Sequence, residues 1–276
     1  MAASRIAPAA APGRSPGRRS RSPRGLGGEV PSARGAPGAR NPIVRIRRKE
    51  CPQMIEKHTF DFLKGIAAHN DKEWFEEHRD DYERAKSNLV DVAGHLIDAA
   101  SRFNPKVKKA NAEPTKCVTR LNRDMRFAKG KPPYKTDLFV MLNSVGDYQG
   151  SASYYLHVEP GDCYAGGGIF TTEPKALDHI RKRIAASLPK WTGVVESREM
   201  KAMFPEGLTS PGELKRAPQG YDPDHPAIEY LRMKGFCANR KLTNKQLQGE
   251  DALDVVVETF KAAQPLVDYL NDAIAG

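Results

Sequence analysis

The stretch "SYYLHVEPGDCYAGGGIF", residues 153–170, decides the fold. Two apolar-rich runs flank Glu159-Pro160-Gly161-Asp162, with Pro set for the second turn position and Gly for the third. The pattern predicts an antiparallel hairpin. If the turn sets the register, His157 stands opposite Tyr164 and Tyr155 opposite Gly166. Strand alternation sends Tyr154, Leu156 and Val158 to a core face, and Tyr155, His157 and Glu159 to the other. The matching positions on the second run are Tyr164, Gly166 and Gly168. Glycines there leave space, or admit the close approach of a backbone or ligand. One reading is a shallow glycine-floored pocket with Tyr155 and Gly167 as binding residues and His157 and Glu159 as an acid–base pair. The other is an aromatic filling the gap above a strand glycine, with His157 hydrogen-bonded and silent.

Outward from the hairpin, residues 115–121, "TKCVTRL", alternate as a strand, and 136–142, "TDLFVML", are apolar on both faces like a central strand. Upstream, Asn70 with Glu73 suggests a capped helix, and a 3.6-residue period carries it from Trp74 to about Ala100. His78 and His95 lie on or near its apolar stripe and read as packed residues. Downstream, Thr172-Glu173-Pro174 opens a helix with a Thr cap, Asp224 starts another, "GFCANRKL" (235–242) reads as a strand, and a final helix begins at Asp251. Pro265 is expected to kink or split that last helix. The result is an α+β fold: an antiparallel meander packed with N- and C-terminal helices, in one domain over 54–276.

The formal charge of +10 is unevenly placed. Residues 1–53 hold eleven Arg and Lys49 against Glu29 and Glu50, leaving 32 basic and 32 acidic residues for the rest. The basic character therefore belongs to a leader of Ala, Pro, Gly, Arg and Ser, which is expected to be disordered. It reads as an RNA-binding arm, an organellar transit peptide, or a segment outside the working protein with Met54 as the start; the last is favoured. A neutral body argues against broad nucleic-acid binding. Cys51, Cys117, Cys163 and Cys237 are scattered without a CxxC or ligand-spaced His, so neither a disulfide framework nor a metal site is expected. A reducing, cytoplasmic setting and no membrane span follow. No cofactor motif is present: the glycines fit neither a phosphate loop nor a dinucleotide fingerprint.

One segment of the neutral body is strongly cationic. Between Lys116 and Lys135 lie Arg120, Arg123, Arg126, Lys129 and Lys131, with Pro132 and Pro133 stiffening the end ahead of Tyr134. Guanidinium groups offer paired donors to phosphate or carboxylate, and a rigid backbone lowers the entropic cost of gripping an anion. If 115–121 alternates, Arg123 falls on the core side and needs a partner. Lys215 and Arg216, ahead of the helix start at Asp224 with His225 beside it, repeat the theme more weakly.

Four segments in this order, "FLKGIAAHNDKEWFEEHRDDYE" (62–83), "RDMRFAKGKPPYKT" (123–136), "YYLHVEPGDCYAGGGIF" (154–170) and "LKRAPQGYDPDHPAIEYLRMKGF" (214–236), resemble the domain of unknown function 2461 family over about residues 58–273. The resemblance carries over no catalytic role. It implies that the residues singled out by chemistry, Arg123, Arg126, Lys135, Tyr155, His157, Glu159, Lys215 and Arg216 among them, belong to the family's motifs. Ala128 and Gly130 stand where a small hydroxyl and an acid are expected, so the loop has no carboxylate there.

The expected function is a cleft for a small anionic ligand, phosphorylated or nucleotide-like, with His157 and Glu159 as acid and base if chemistry occurs. Arg120, Arg123, Arg126, Lys129, Lys131, Tyr134, Lys135, Tyr155, Gly167, Lys215 and Arg216 are its expected binding residues. The alternative is a non-enzymatic nucleic-acid or protein binding module using the same basic strip.

Overall fold

The turn at 159–162 closes as its residues dictate. Asp162 N–H donates to the Glu159 carbonyl at 3.0 Å, and Gly161 takes φ +93°, a conformation that favours glycine. The computed structural model describes residues 53–126, 128, 130–145 and 150–276, within a compact unit spanning Arg47–Gly276. The expected leader, 1–53, lies outside these residues apart from its last position.

The chain begins with α1 (Lys57–Ala68), α2 (Lys72–Glu77), α3 (Arg79–Phe103), α4 (Pro105–Ala110) and the short α5 (Pro114–Cys117). Strands β1 (Leu138–Asn143), β2 (Ser153–Val158) and β3 (Cys163–Ile169) follow as an antiparallel meander. Next come α6 (Pro174–Ala186), α7 (Leu188–Val195), α8 (Arg198–Met203), β4 (Leu208–Thr209), α9 (Ile228–Arg232), β5 (Phe236–Leu242), α10 (Asn244–Leu247) and α11 (Ala252–Ala275). The five-stranded antiparallel sheet runs β1-β2-β3-β5-β4. This is the expected α+β class. The hairpin register is also the expected one, with His157 opposite Tyr164 and Tyr155 opposite Gly166. On its other side β2 pairs with β1, which sets Phe139 opposite His157.

One face of the sheet is covered by helices. Tyr154 stacks on Phe260 of α11 with ring centroids 5.3 Å apart, and its hydroxyl accepts from Asn104 Nδ2 at 2.9 Å. Tyr154, Leu156 and Val158 are fully buried, as their alternation requires. A side chain of Leu or Phe size removed from water in this way contributes roughly 1.5–3 kcal/mol. Gly167 faces the same layer: a Cβ there would meet Ala263 Cβ at 2.8 Å and Val267 Cγ2 at 2.9 Å.

Several local expectations differ from the fold. Residues 114–117 form a helical turn, with Pro114 in its first position, and only beyond it does the chain extend, Val118 bridging to Val140. The long helix expected from Asn70 is two helices divided at His78, and Asp71, not Asn70, is the cap, accepting from Trp74 N–H at 2.9 Å. Thr172 is not a cap; Glu173 holds that position on α6 without a side-chain hydrogen bond. Asp224 does not start a helix; the chain turns there and α9 begins at Ile228. Pro265 does not break α11, where burial of Leu266, Val267 and Leu270 outweighs a loss of roughly 3 kcal/mol for proline in a helix interior.

Candidate functional site

The cationic segment folds back on itself. Asn122 bridges to Tyr134, Arg123 N–H donates to the Pro133 carbonyl at 2.9 Å, and Lys135 N–H donates to the Leu121 carbonyl at 2.9 Å. Asn70 clamps the returning arm. Its Oδ1 accepts from Tyr134 N–H at 3.0 Å and its Nδ2 donates to the Tyr134 carbonyl at 3.1 Å. That use of both amide groups explains why the cap passes to Asp71. The Tyr134 ring is buried and stacks on Phe75 at 4.5 Å, so it secures the arm by packing. Arg123 is half-buried, and its Nε donates to the Tyr134 carbonyl at 3.1 Å, the partner its position demanded. Arg126 pairs with Asp124 at 2.7 Å in full exposure, while Arg120 and Lys131 are also exposed. Lys129 lies outside the described residues.

Lys135 leads through Thr136 and Asp137 into β1, and this brings the basic arm to the end of the hairpin. There Nε2 of His157 lies 3.6 Å from Asp137 Oδ2 and 3.7 Å from Glu159 Oε2. Nδ1 of His157 is 2.9 Å from the Asp162 carbonyl. A carbonyl only accepts, so Nδ1 carries the hydrogen and Nε2 is the atom turned to the carboxylates. The ring is 5% exposed and held between Phe139 at 4.6 Å and Tyr164 at 4.3 Å. Glu159 is more open, and its Oε1 accepts from Thr136 Oγ1 at 2.9 Å.

Burial works against ionisation of Asp137 more than any other single influence. Its contact with His157, the imidazole charge, Lys135 and Arg123 nevertheless hold its carboxyl below the usual carboxylate range. The Tyr164 hydroxyl is pushed up to about 12, first by burial and then by the negative charges of Asp137, Asp162 and Glu159. The end of the hairpin thus gathers one imidazole, two carboxylates and the field of two cations. Among the described residues, no group of three or more His, Cys, Asp and Glu side chains is placed to hold a metal ion.

Beside this cluster, the uncovered face of the sheet carries a hollow of about 860 Å³. Phe139, Tyr155, Tyr164 and Phe170 supply its aromatic walls, with Ser153 and Asn239 among its polar ones. His157 is not in its wall but lies between two of its rings. Tyr155 OH donates to Asn239 Oδ1 at 2.6 Å, and Asn239 Nδ2 donates to Thr209 Oγ1 at 3.1 Å, so the polar floor is fixed by its own network. Gly166 and Gly168 serve strand approach here. A Cβ would sit 1.9 Å from the Ala238 carbonyl oxygen at Gly166 and 2.0 Å from that of Phe236 at Gly168.

The fold therefore sets His157 beside Glu159 and Asp137, with Lys135 and Arg123 close enough for their charges to act on Asp137 and with Tyr155 on the same sheet face. It leaves Gly167 on the covered face. Lys215 and Arg216 are exposed on the segment after β4, where Leu214 N–H bonds to the Arg232 carbonyl. His225 turns its Nδ1 to Ala227 N–H at 3.0 Å. Sequence reasoning passed over Asp137, read as one residue of an apolar strand run. The signal was a lone carboxylate ahead of that run, and it becomes legible once β1 is paired with β2. No helix among the described residues is long and apolar enough to cross a membrane.

Neither the curated proteins nor the solved structures include a match to this chain. A family model does match, over residues 58–269, and its span takes in the clamp at Asn70, the basic arm, the hairpin and most of α11. The chain belongs to this family, described as conserved hypothetical protein DUF2461.

Proposed function

We propose that the domain binds a small organic anion on the uncovered face of its sheet. The anionic group lies toward Arg123 and Lys135, and the rest of the molecule enters the hollow. The observation that supports this most is the meeting of three features at one end of the hairpin. These are the basic arm, the Asp137–His157–Glu159 cluster and the aromatic rings Phe139 and Tyr164, which bound the hollow. From Arg120 to Asp137 the sequence carries six cations against two carboxylates, in a body otherwise without excess positive charge. Asp137, whose carboxyl feels Lys135 and Arg123, compensates only part of that charge.

If the ligand is transformed, Glu159 is the group that exchanges a proton with it, being the more open of the two carboxylates, and His157 passes the proton on from behind. The test is a thermal-shift screen of the full chain against carboxylates, sugar phosphates and mononucleotides. The proposal expects at least one anion to stabilise the chain by several degrees, and the Lys135→Ala variant to lose most of that gain. Stabilisation that survives Lys135→Ala unchanged, or no stabilisation by any anion tested, rejects it.

A further inference from the structure

We infer that the hollow is a seat for a planar heteroaromatic ring of the nucleobase class, so that the ligand is nucleotide-like. This rests on the anion-binding reading above and names its substrate class. Four observations lead to it.

The first is the arrangement of the rings. Tyr155 and Tyr164 cross at 87°, Phe139 and Tyr164 at 73°, and Phe139 and Tyr155 at 72°. All three pairs meet edge to face, so within this trio no two rings stack face on face. His157 stacks on Tyr164 and packs at a tilt against Phe139, and Lys241 Nζ lies 5.6 Å from the Tyr164 ring centroid. A flat guest therefore meets aromatic walls around a volume suited to a small ligand, which for such sites runs roughly 300–1,000 Å³.

The second is Phe170. It is 66% exposed at the end of β3 and lines the hollow. A large aromatic left in water at a cavity mouth gains by closing on an apolar face. Base–aromatic stacking of this kind accounts for about tenfold in affinity per ring, which at about 1.4 kcal/mol per decade lies in the lower part of a range of roughly 1–3 kcal/mol.

The third is Thr172, two residues before the start of α6 and also in the wall. Its hydroxyl oxygen is buried and has no hydrogen-bond partner. Buried polar groups are nearly always satisfied, so an orphan in the cavity wall is a group that a ligand donor or acceptor completes if a small shift of the wall uncovers it. The fourth is charge. Glu173 is the sole ionisable carboxylate or cation in the described wall, so the hollow suits a neutral group, while the cations stand at the hairpin end. A neutral ring joined to an anionic group fits both.

The experiment is calorimetric titration of the full chain with uridine and adenosine, which are neutral, and separately with inorganic phosphate. Either nucleoside is expected to bind at one site. Phe170→Ala, which removes an exposed side chain and leaves the core intact, is expected to weaken that binding about tenfold. Thr172→Val is expected to weaken it while leaving the melting temperature equal or higher, because the variant no longer buries an unpaired hydroxyl. Lys135→Ala is expected to leave nucleoside binding unchanged and to abolish that of phosphate. If phosphate binds in a Lys135-dependent way but neither nucleoside does, or if glucose binds in their place, the heteroaromatic seat is wrong and the anion site stands. If a nucleoside binds as described and phosphate shows no dependence on Lys135, the seat stands and the anion site falls.

Discussion

Nε2 of His157 lies 3.6 Å from Oδ2 of Asp137, although twenty residues and a strand pairing separate them in the chain. The contact links the acid–base cluster to the basic arm, because Asp137 also feels Lys135 and Arg123. With Nδ1 committed to the Asp162 carbonyl, the ring cannot turn without losing a hydrogen bond.

The Asp137 carboxyl gives a pH signature. Its folded pKa is lowered, so its ionisation adds stability that is complete above the ordinary carboxylate value of about 3.9 and is lost as pH falls through the lower folded value. Asp137→Asn removes this dependence. Urea denaturation of both proteins at pH 7 and at pH 3 is expected to show wild type the more stable at pH 7, with the gap narrowing at pH 3. A gap that stays constant or widens in acid contradicts the assignment.

Asn70 is expected to behave as the clamp of the basic arm. Asn70→Ala leaves the Tyr134 N–H without its partner and the Tyr134 carbonyl with Arg123 Nε alone, and is expected to cost about 1–3 kcal/mol, since an unpaired group carries its desolvation cost. Hydrogen exchange at Tyr134 and Lys135 should rise in the variant more than it does in α11. Equal acceleration everywhere indicates a general loss of stability and no particular role in holding the arm.

The strand glycines separate two causes of destabilisation. Gly166→Ala sets a methyl 1.9 Å from a backbone oxygen, which no side-chain adjustment relieves, and is expected to destabilise by about 3 kcal/mol or more. Gly193→Ala, inside α7 with nothing within 4 Å of the new methyl, is expected to stabilise by about 0.5–1 kcal/mol. Chemical denaturation of the two variants reads both signs. Tolerance at Gly166 means that β3 and β5 are not as close as described.

Much of the fold was legible in the hairpin. Pro160 and Gly161 specify the turn locally, and period-2 alternation then fixes which of Tyr154 and Tyr155 is covered. Of the misread elements, one was decided at long range and another by the residue next door. Asn70 and Asp71 are both good caps by themselves, and the choice is made by Tyr134, sixty-four residues away. "TKCVTRL" alternates, yet Pro114 presets a helical turn for its first half. The basic arm was visible from its charge, and the hairpin pair His157 and Glu159 from alternation. Asp137 and the orphan Thr172 needed the assembled sheet.

The most direct test is a two-dimensional amide NMR titration of the full chain with uridine and adenosine monophosphates. The account predicts that saturating shifts by one of them gather at Phe139, Tyr155 and Phe170 and extend to Lys135 and Asp137. Shifts confined to residues 1–52, or absent from the β1–β3 face, contradict it.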